Sequence, residues 1–268
     1  MKTGGAAGRS GSEARRTSLI VAAALAAAVI VAVVIVGGAR HYLRPSQTSR
    51  PAAASGQVTA ATPLTAGRGA LVFGDDFQDP QSGWNSAVTP SGTNFGYGQG
   101  AYVVAGKGTL HHFAEAPYRN ALPQLGMSIS ATQTTGAPAG AGFGVTCWRG
   151  DGTDRVRYEF VLLAPGTWYL ERDGGMDTLT SRGVVLQKGT APVGPGASPI
   201  TVVGMCATLD GESTRLALFV DGSKMVDQID APGGSAAGGW LSALDISSRD
   251  AGDSAVTVTR FEDRDLSA

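Results

Sequence analysis

The 268-residue chain carries 21 basic and 22 acidic side chains, so its net charge at pH 7 is −1. This balance hides a segregation of charge. Residues 1–68 hold eight Lys or Arg side chains and one Glu, which leaves 13 basic and 21 acidic side chains after residue 68, a net charge of −8. Proteins that bind nucleic acid present a basic face. The acidic C-terminal part therefore argues against nucleic acid as a partner.

Residues 19–36 form an apolar run without a charge or a proline, and residues 37–39 extend it as far as Arg40. A helix of about 20 residues crosses a hydrocarbon core of about 30 Å, because each residue adds about 1.5 Å. We expect residues 18–39 to form one transmembrane signal-anchor helix in the lipid bilayer of the cell membrane.

The orientation of this helix follows from the short segment before it. Basic residues flank the run on both sides in similar numbers, so the positive-inside rule does not clearly favour either orientation of the helix. Arg15 and Arg16 stand just before the apolar run, as in a signal-anchor. We expect residues 1–17 to be a cytoplasmic tail and the C-terminal domain to be extracytoplasmic. A cleaved signal peptide ending near residues 38–39 is the alternative, although its apolar region would be long for that role.

Residues 40–68 are rich in Ala, Ser, Thr, Gly and Pro and show no hydrophobic periodicity. Such a composition buries too little apolar surface to offset the entropy of ordering, which predicts a flexible linker. Residues 69–268 are numerous enough for one domain with a substantial core.

Apolar residues alternate with polar ones along most of this domain, which is typical of half-buried strands. The predicted strands are 101–104, 109–113, 124–132, 142–149, 154–163, 168–172, 183–186, 200–207, 214–220, 224–229, 239–246 and 255–262. Two hairpins are clear, one with its turn at 164–167 and one at Asp221-Gly222, a dipeptide that favours a type I′ turn. No segment keeps helical periodicity for three turns. We therefore predict an all-β domain of two packed antiparallel sheets.

Several short motifs recur in a fixed order along the chain. They are DDF at 75–77, SGW at 82–84, AGFGVTC at 141–147, RYEF at 157–160, VVGMC at 202–206 and LFVDGSK at 218–224. In this order they resemble the concanavalin A-like lectin/glucanase jelly-roll superfamily, in particular the laminin-G-like branch found on surface proteins of high-GC bacteria. The resemblance covers residues 71–263. It implies a curved jelly-roll sandwich of the kind often used to bind sugars or proteins.

The two cysteines, Cys147 and Cys206, lie in two predicted strands. A metal or redox pair is disfavoured because no histidine ligands stand near them in the sequence. In an oxidising compartment a disulfide between two strands is the favoured interpretation, with buried free thiols as the alternative.

A histidine pair, His111-His112, together with Glu115 gives the pattern His-His-x-x-Glu, which suggests zinc. Adjacent residues of a strand point to opposite faces, however, so both rings cannot easily reach one ion. We therefore expect no metal site here, but one ring at the surface and one partly buried.

The carboxylates give no complete catalytic pattern. Retaining glucanases of the jelly-roll class carry three acids on one strand. Here Glu171 and Asp173 are followed by Gly175 and Met176, where the third acid should stand. A Gly-x-Ser-x-Gly nucleophile motif is also absent from the sequence. We therefore predict no catalytic residues and no enzyme.

Calcium is a weaker hypothesis. Laminin-G-like modules often hold one calcium ion at the sandwich rim, and Asp151, Asp154, Asp173 and Asp177 stand at predicted turns. Carboxylates are the hard oxygen ligands that calcium prefers. Asp-Gly turns also arise for purely backbone reasons, which is the favoured interpretation, so we expect no cofactor.

A candidate ligand surface follows from the alternation in the hairpin 155–172. If Trp168 points into the core, Tyr169 and Glu171 point outward, beside Arg157 and Glu159 of the preceding strand. Polar side chains around one aromatic ring can fix the hydroxyl groups of a ligand. Trp84 and Trp148 stand beside the motifs of the resemblance, which favours core packing for both.

Taken together, the sequence predicts a membrane-anchored extracytoplasmic β-sandwich that binds a glycan or a protein at the cell envelope without catalysis. Two alternatives remain open. One is an envelope glycan-processing hydrolase with an unrecognised site. The other is a purely structural or scaffolding surface module.

Overall fold

The computed structural model describes residues 65–90, 92–108, 110–134, 137–150, 155–174, 183–209, 213–231, 238–248 and 252–268. These residues all belong to one compact unit, Thr62–Ala268. The predicted tail 1–17, the predicted membrane helix 18–39 and nearly all of the predicted linker lie outside the described residues. Within the described part of the chain, no helix has the length and apolar character that crossing a bilayer requires.

The described residues form fifteen strands. They are β1 (Ala70–Asp75), β2 (Ala87–Val88), β3 (Asn94–Gly98), β4 (Ala101–Lys107), β5 (Leu110–Glu115), β6 (Gln124–Gln133), β7 (Ala141–Arg149), β8 (Val156–Leu163), β9 (Thr167–Gly174), β10 (Val184–Thr190), β11 (Ile200–Thr208), β12 (Thr214–Val220), β13 (Ser223–Asp230), β14 (Leu241–Ser248) and β15 (Asp253–Asp265). Each of the twelve predicted strands corresponds to one of β4 to β15.

The strands build two antiparallel sheets. The nine-stranded sheet has the order β13-β12-β11-β6-β15-β4-β3-β2, with β1 also paired to β15, and the six-stranded sheet has the order β10-β9-β8-β7-β14-β5. The predicted all-β, two-sheet jelly-roll sandwich is confirmed. The sequence missed β1, β2 and β3, because β2 has only two residues and β3 contains two glycines in five positions, so neither shows a clear alternation.

Both predicted hairpins are present. β8 pairs with β9 and β12 pairs with β13. Asp221 and Gly222 have φ angles of 45° and 75°, the positive values that a type I′ turn needs at both central positions.

The core lies between the two sheets. Tyr158, Phe160 and Leu162 of β8 point into it, as the alternation predicted. A disulfide joins Cys147 of β7 to Cys206 of β11, with their Cα atoms 6.7 Å apart, so the predicted bond ties one sheet to the other. Trp84 also lies in the core, as predicted.

The opening motif DDF…GW has a structural role. Asp75 accepts hydrogen bonds from the indole Nε1 of Trp84 at 2.8 Å and from the backbone N of Phe77 at 2.7 Å. Phe77 has a φ of 59°, a left-handed conformation that the Asp75 side chain stabilises by this short-range bond. The motif therefore anchors the end of β1 to the core.

Candidate functional site

The four predicted ligand-binding residues share the outer face of the six-stranded sheet. In the β8–β9 register Glu159 stands opposite Glu171, and Tyr169 stands opposite Val161. Arg157 is two residues before Glu159 and therefore points to the same side. The sequence thus placed these side chains on one surface, and their role in binding stays a prediction.

Tyr169 does not offer an exposed ring on this surface. It is only 4% exposed and packs with Val161 and Leu163, which continue the outer face of β8 beyond Glu159. The expected polar surface around one aromatic is therefore divided. An apolar patch occupies the Tyr169 end, and charged side chains occupy the Arg157 end.

Arg157 organises the charged end. Its Nη2 atom lies 2.6 Å from Oδ2 of Asp173 and 2.9 Å from Oε1 of Glu159. Its guanidinium carbon lies 4.3 Å from the centre of the Phe113 ring, a cation–π contact with β5. Asp173 is therefore held by Arg157. The other three residues of the calcium hypothesis, Asp151, Asp154 and Asp177, lie outside the described residues.

A second group of charges meets beside Arg157. The Nε2 atom of His111 lies 3.6 Å from Oδ1 of Asp245 and 3.8 Å from Oε2 of Glu159. One ligand atom from each of these three residues lies within 4.8 Å of the other two. Thr146 donates a 3.4 Å hydrogen bond to the other carboxylate oxygen of Asp245. Three strands, β5, β8 and β14, thus supply one cluster.

This cluster requires a curved sheet. β5 and β8 are separated by β14 and β7, so in a flat sheet they would lie about 14 Å apart at a usual spacing of about 4.8 Å. Side chains that stand upright on a flat sheet would keep that spacing, so the 3.8 Å approach of His111 Nε2 to Glu159 Oε2 indicates that the sheet curls toward its outer face. We call this concave surface the groove. Its charged side chains are His111, Arg157, Glu159, Glu171, Asp173 and Asp245.

Two glycines of β7 shape the floor of the groove. A Cβ at Gly142 would lie 1.9 Å from the carbonyl oxygen of Leu162, and a Cβ at Gly144 would lie 1.9 Å from that of Phe160. Real Cβ atoms do not approach backbone so closely. The glycines of the GFG motif are therefore needed where β7 passes β8.

The histidine pair divides between the two faces, as the alternation predicted. His112 points away from the groove and stacks on Phe95, with ring centres 4.1 Å apart. Burial lowers the pKa of His112 to about 4. Burial also lowers the pKa of His111, but the carboxylates of Asp245 and Glu159 outweigh it, and the pKa of His111 is raised.

The pKa of Glu159 is strongly raised by its position in the groove. Its side chain is 3% exposed. Burial raises the pKa of Glu159 to about 8, with a further rise from the charge of Asp245 and opposing effects from Arg157 and His111. Two buried carboxylates so close together resist carrying two negative charges at once.

Sequence reasoning missed Asp245 and the partners of His111. Asp245 stands between Leu244 and Ile246 in β14, a strand that also contains three serines, so its sequence context gave no clear signal. Its complete burial, which is rare for a carboxylate, appears only in the structure. His111 and Phe113 share one face of β5 by alternation, but nothing in the sequence shows that β5 curls toward β8.

A separate cavity of about 470 Å³ lies at β1 and β15 of the nine-stranded sheet. Its lining includes Asp75, Asp76 and Glu262 and none of the predicted ligand-binding residues. Asp75 is already engaged by Trp84 and Phe77, as described above.

A scan against protein-family models and a search of curated proteins found no match. Among solved structures, the chain is similar in shape to an alginate lyase, Aly36B, in complex with an alginate trisaccharide, with 9% identity, a TM-score of 0.49, and 74% of this chain and 98% of the other covered. It is also similar to the carbohydrate recognition domain of Emp47p, with 9% identity, a TM-score of 0.49, and 76% and 99% covered.

A third similar structure comes from work on endo-acting O-glycanases of human gut microbiota that initiate mucin breakdown. It has 10% identity, a TM-score of 0.49, and 74% of this chain and 100% of the other covered.

Proposed function

We propose that this protein is a single-pass membrane protein whose extracytoplasmic sandwich binds a glycan in the groove without cleaving it. The observation that carries the proposal is the groove itself. A curved sheet gathers carboxylates, a guanidinium and an imidazole from strands that are distant in the sequence. Such groups are strong hydrogen-bond partners for the many hydroxyls of a sugar.

The energetics of the groove support a binding role. Burying charged side chains costs free energy, and stability alone is served equally well by apolar residues of similar size. The chain nevertheless places Glu159 and Asp245 in contact range of His111, at the floor of a concave surface. Local choices that oppose stability tend to mark functional sites.

The apolar N-terminal run supports the proposed membrane anchoring of the domain. The apolar run 19–36 is long enough to cross a bilayer, and the acidic domain follows it after a tether of about 30 residues, whose root-mean-square reach is about 30 Å. Protease added to intact cells should therefore digest the domain. Protection of the domain, while known exterior proteins are cut, would contradict the proposed topology.

A binding experiment tests the groove directly. The full-length chain, purified in detergent, is titrated with cell-wall and storage glycans, and Arg157→Met is compared with Arg215→Met. Both arginines pair with an aspartate, at 2.6 Å and 2.8 Å, but Arg215 lies on the nine-stranded sheet. We expect saturable binding that Arg157→Met weakens at least tenfold and Arg215→Met leaves unchanged. Equal loss in both variants, or no glycan binding, would contradict the proposal. A protein ligand would then be sought.

A glycan-cleaving enzyme is the second candidate, and one observation favours it. Oxygens of Glu159 and Asp245 lie within 4.8 Å of each other, near the spacing of about 5–5.5 Å between the two carboxyl groups of retaining glycosidases. Release of reducing ends in the same titration, lost in Glu159→Gln, would favour the enzyme. Binding without release would favour the non-catalytic function.

A further inference from the structure

We propose that His111, Glu159 and Asp245 form a zinc site at the floor of the groove. This inference does not depend on whether the groove binds a glycan. It rests on the donor atoms that three strands bring together, on one buried carboxylate oxygen without a hydrogen bond, and on the arrangement of the neighbouring side chains.

The spacing of the donor atoms fits a shared ion better than direct hydrogen bonds. The His111 Nε2 atom lies 3.6 Å from Asp245 Oδ1 and 3.8 Å from Glu159 Oε2. Hydrogen bonds between such groups are about 2.7–3.2 Å long. Zinc bonds to nitrogen and oxygen are about 2.0–2.2 Å long, which sets tetrahedral ligand atoms about 3.4 Å apart. An ion among the three atoms can therefore reach all of them after small side-chain shifts.

Asp245 points an unsatisfied oxygen at this position. Its side chain is 0% exposed. Its Oδ1 atom, the one that faces His111, accepts no hydrogen bond from the described residues. A buried carboxylate oxygen without a donor is costly, and a cation would remove that cost.

The neighbouring side chains hold the carboxylates in place. Thr146 donates to Oδ2 of Asp245, and Arg157 binds Oε1 of Glu159, so in each acid the oxygen not facing His111 is already used. Partners of this kind orient the ligands of metal sites. His111 is 35% exposed, which leaves a path by which an ion can enter.

The donor set favours zinc over calcium. One imidazole nitrogen with two carboxylate oxygens suits zinc, whereas calcium prefers six to eight oxygen ligands. Three protein ligands also leave a fourth position of a tetrahedral ion open to water or to a ligand in the groove. This proposal replaces the expectation of no metal that the sequence of the His111-His112 pair had suggested.

Zinc titration of the full-length chain tests the site. The protein, purified in detergent and stripped with a chelator, is titrated with Zn²⁺ by calorimetry, and its thermal midpoint is recorded with and without Zn²⁺. We expect one high-affinity zinc per chain and a rise in the midpoint. His111→Gln and Asp245→Asn should weaken binding at least tenfold and abolish the rise.

The other two histidines of the chain provide matched controls. His112→Ala changes the adjacent residue, which faces away from the groove, and His41→Ala changes a residue before the domain; both should bind zinc as the unaltered chain does. Circular dichroism identifies any variant that fails to fold, and the remaining control then stands. No zinc binding by the unaltered chain, unchanged binding by His111→Gln, or a preference for Ca²⁺ over Zn²⁺ would each overturn the proposal.

Discussion

The two sheets bury different clusters on their outer faces. On the nine-stranded sheet the outward side chains of β11 and β12 form an apolar cluster with Leu266, which follows β15. Its members are Val203, Met205, Ala217, Phe219 and Leu266. On the six-stranded sheet the outward side chains form the apolar patch around Tyr169 and, beside it, the charged groove.

This difference separates stability from function. The apolar cluster gains free energy from burial whatever the protein binds. The groove buries carboxylates near one another, and this lowers stability unless another charge compensates for them. The sheet that carries the apolar cluster therefore supports the fold, and the curved sheet carries the proposed binding site.

The largest expected loss of stability comes from removing the disulfide that joins the two sheets. Replacing both cysteines, Cys147→Ala with Cys206→Ala, removes the covalent tie across a sequence separation of 59 residues. The chain-entropy model predicts a loss of about 4 kcal/mol in the free energy of unfolding. Denaturant unfolding of the double variant, compared with the unaltered chain, measures it. A loss below about 1 kcal/mol would show that core packing alone holds the two sheets together.

A buried acid away from the groove gives the next largest effect. Asp263 of β15 accepts a 2.6 Å hydrogen bond from Ser242 of β14, and burial raises the pKa of Asp263 to about 7. The folded chain then binds this proton more tightly than the unfolded chain, so the stability contribution falls as the pH rises from about 4 to about 7. Asp263→Asn should remove this fall, about 4 kcal/mol at about 1.4 kcal/mol per pKa unit.

Thermal unfolding between pH 4 and pH 8 checks this prediction. Asp227 is the matched control, because its hydrogen bond with Arg215 lowers the pKa of Asp227. Its contribution has the opposite sign: it is present above the unfolded pKa and is lost as the pH falls. Asp227→Asn should therefore weaken the protein at neutral pH, where Asp263→Asn strengthens it. The same sign in both variants would contradict the assignment.

The apolar cluster can be broken without touching the groove. Phe219→Ala removes a ring that is 3% exposed, and such truncations cost about 3 kcal/mol or more when buried. Phe219→Leu keeps most of the volume and should cost about 1 kcal/mol. Chemical denaturation measures both losses. Glycan and zinc binding should stay unchanged in the folded variants, and a change in either would show that the two outer faces are coupled.

The smallest expected losses of stability come from replacing one glycine in each sheet. Gly144→Ala places a Cβ 1.9 Å from backbone in the six-stranded sheet, and we expect a loss of about 2–3 kcal/mol. Gly126→Ala of β6 meets instead the end of the flexible Leu266 side chain at 2.9 Å, which can move, so the loss should stay below about 1 kcal/mol. Equal losses in a denaturant titration would mean that β7 and β8 can separate at little cost.

The fold followed from local patterns wherever those patterns were strong. Alternation in β8 and the Asp221-Gly222 turn predicted both hairpins, and the cysteine pair predicted the disulfide. Alternation in β12 was less clear, because Ala217 and Phe219 on its outer face are also apolar and buried. The strands β1 to β3 were not predicted. β2 has only two residues and β3 is rich in glycine, so neither shows an alternation of apolar and polar residues.

The candidate site was predicted only in part. Arg157, Glu159 and Glu171 were placed on one face because residues two apart along a strand point the same way. Alternation along one strand does not describe contacts between strands. Three features of the site depend on such contacts: the burial of Tyr169, the ion pair of Arg157 with Asp173, and the partners of His111.

The sequence by itself determined twelve of the fifteen described strands, their faces and the separation of an apolar N-terminal run from an acidic domain, because each of these depends on neighbours along the chain. The disulfide was predictable because the chain has two cysteines and so one possible pairing within it. Only the tertiary structure decided that β5, β8 and β14 bring His111, Glu159 and Asp245 within reach of one another. The physical reason is curvature. The order of strands and the bend of a sheet arise from packing across the whole domain, and these two properties convert three unremarkable residues into one site.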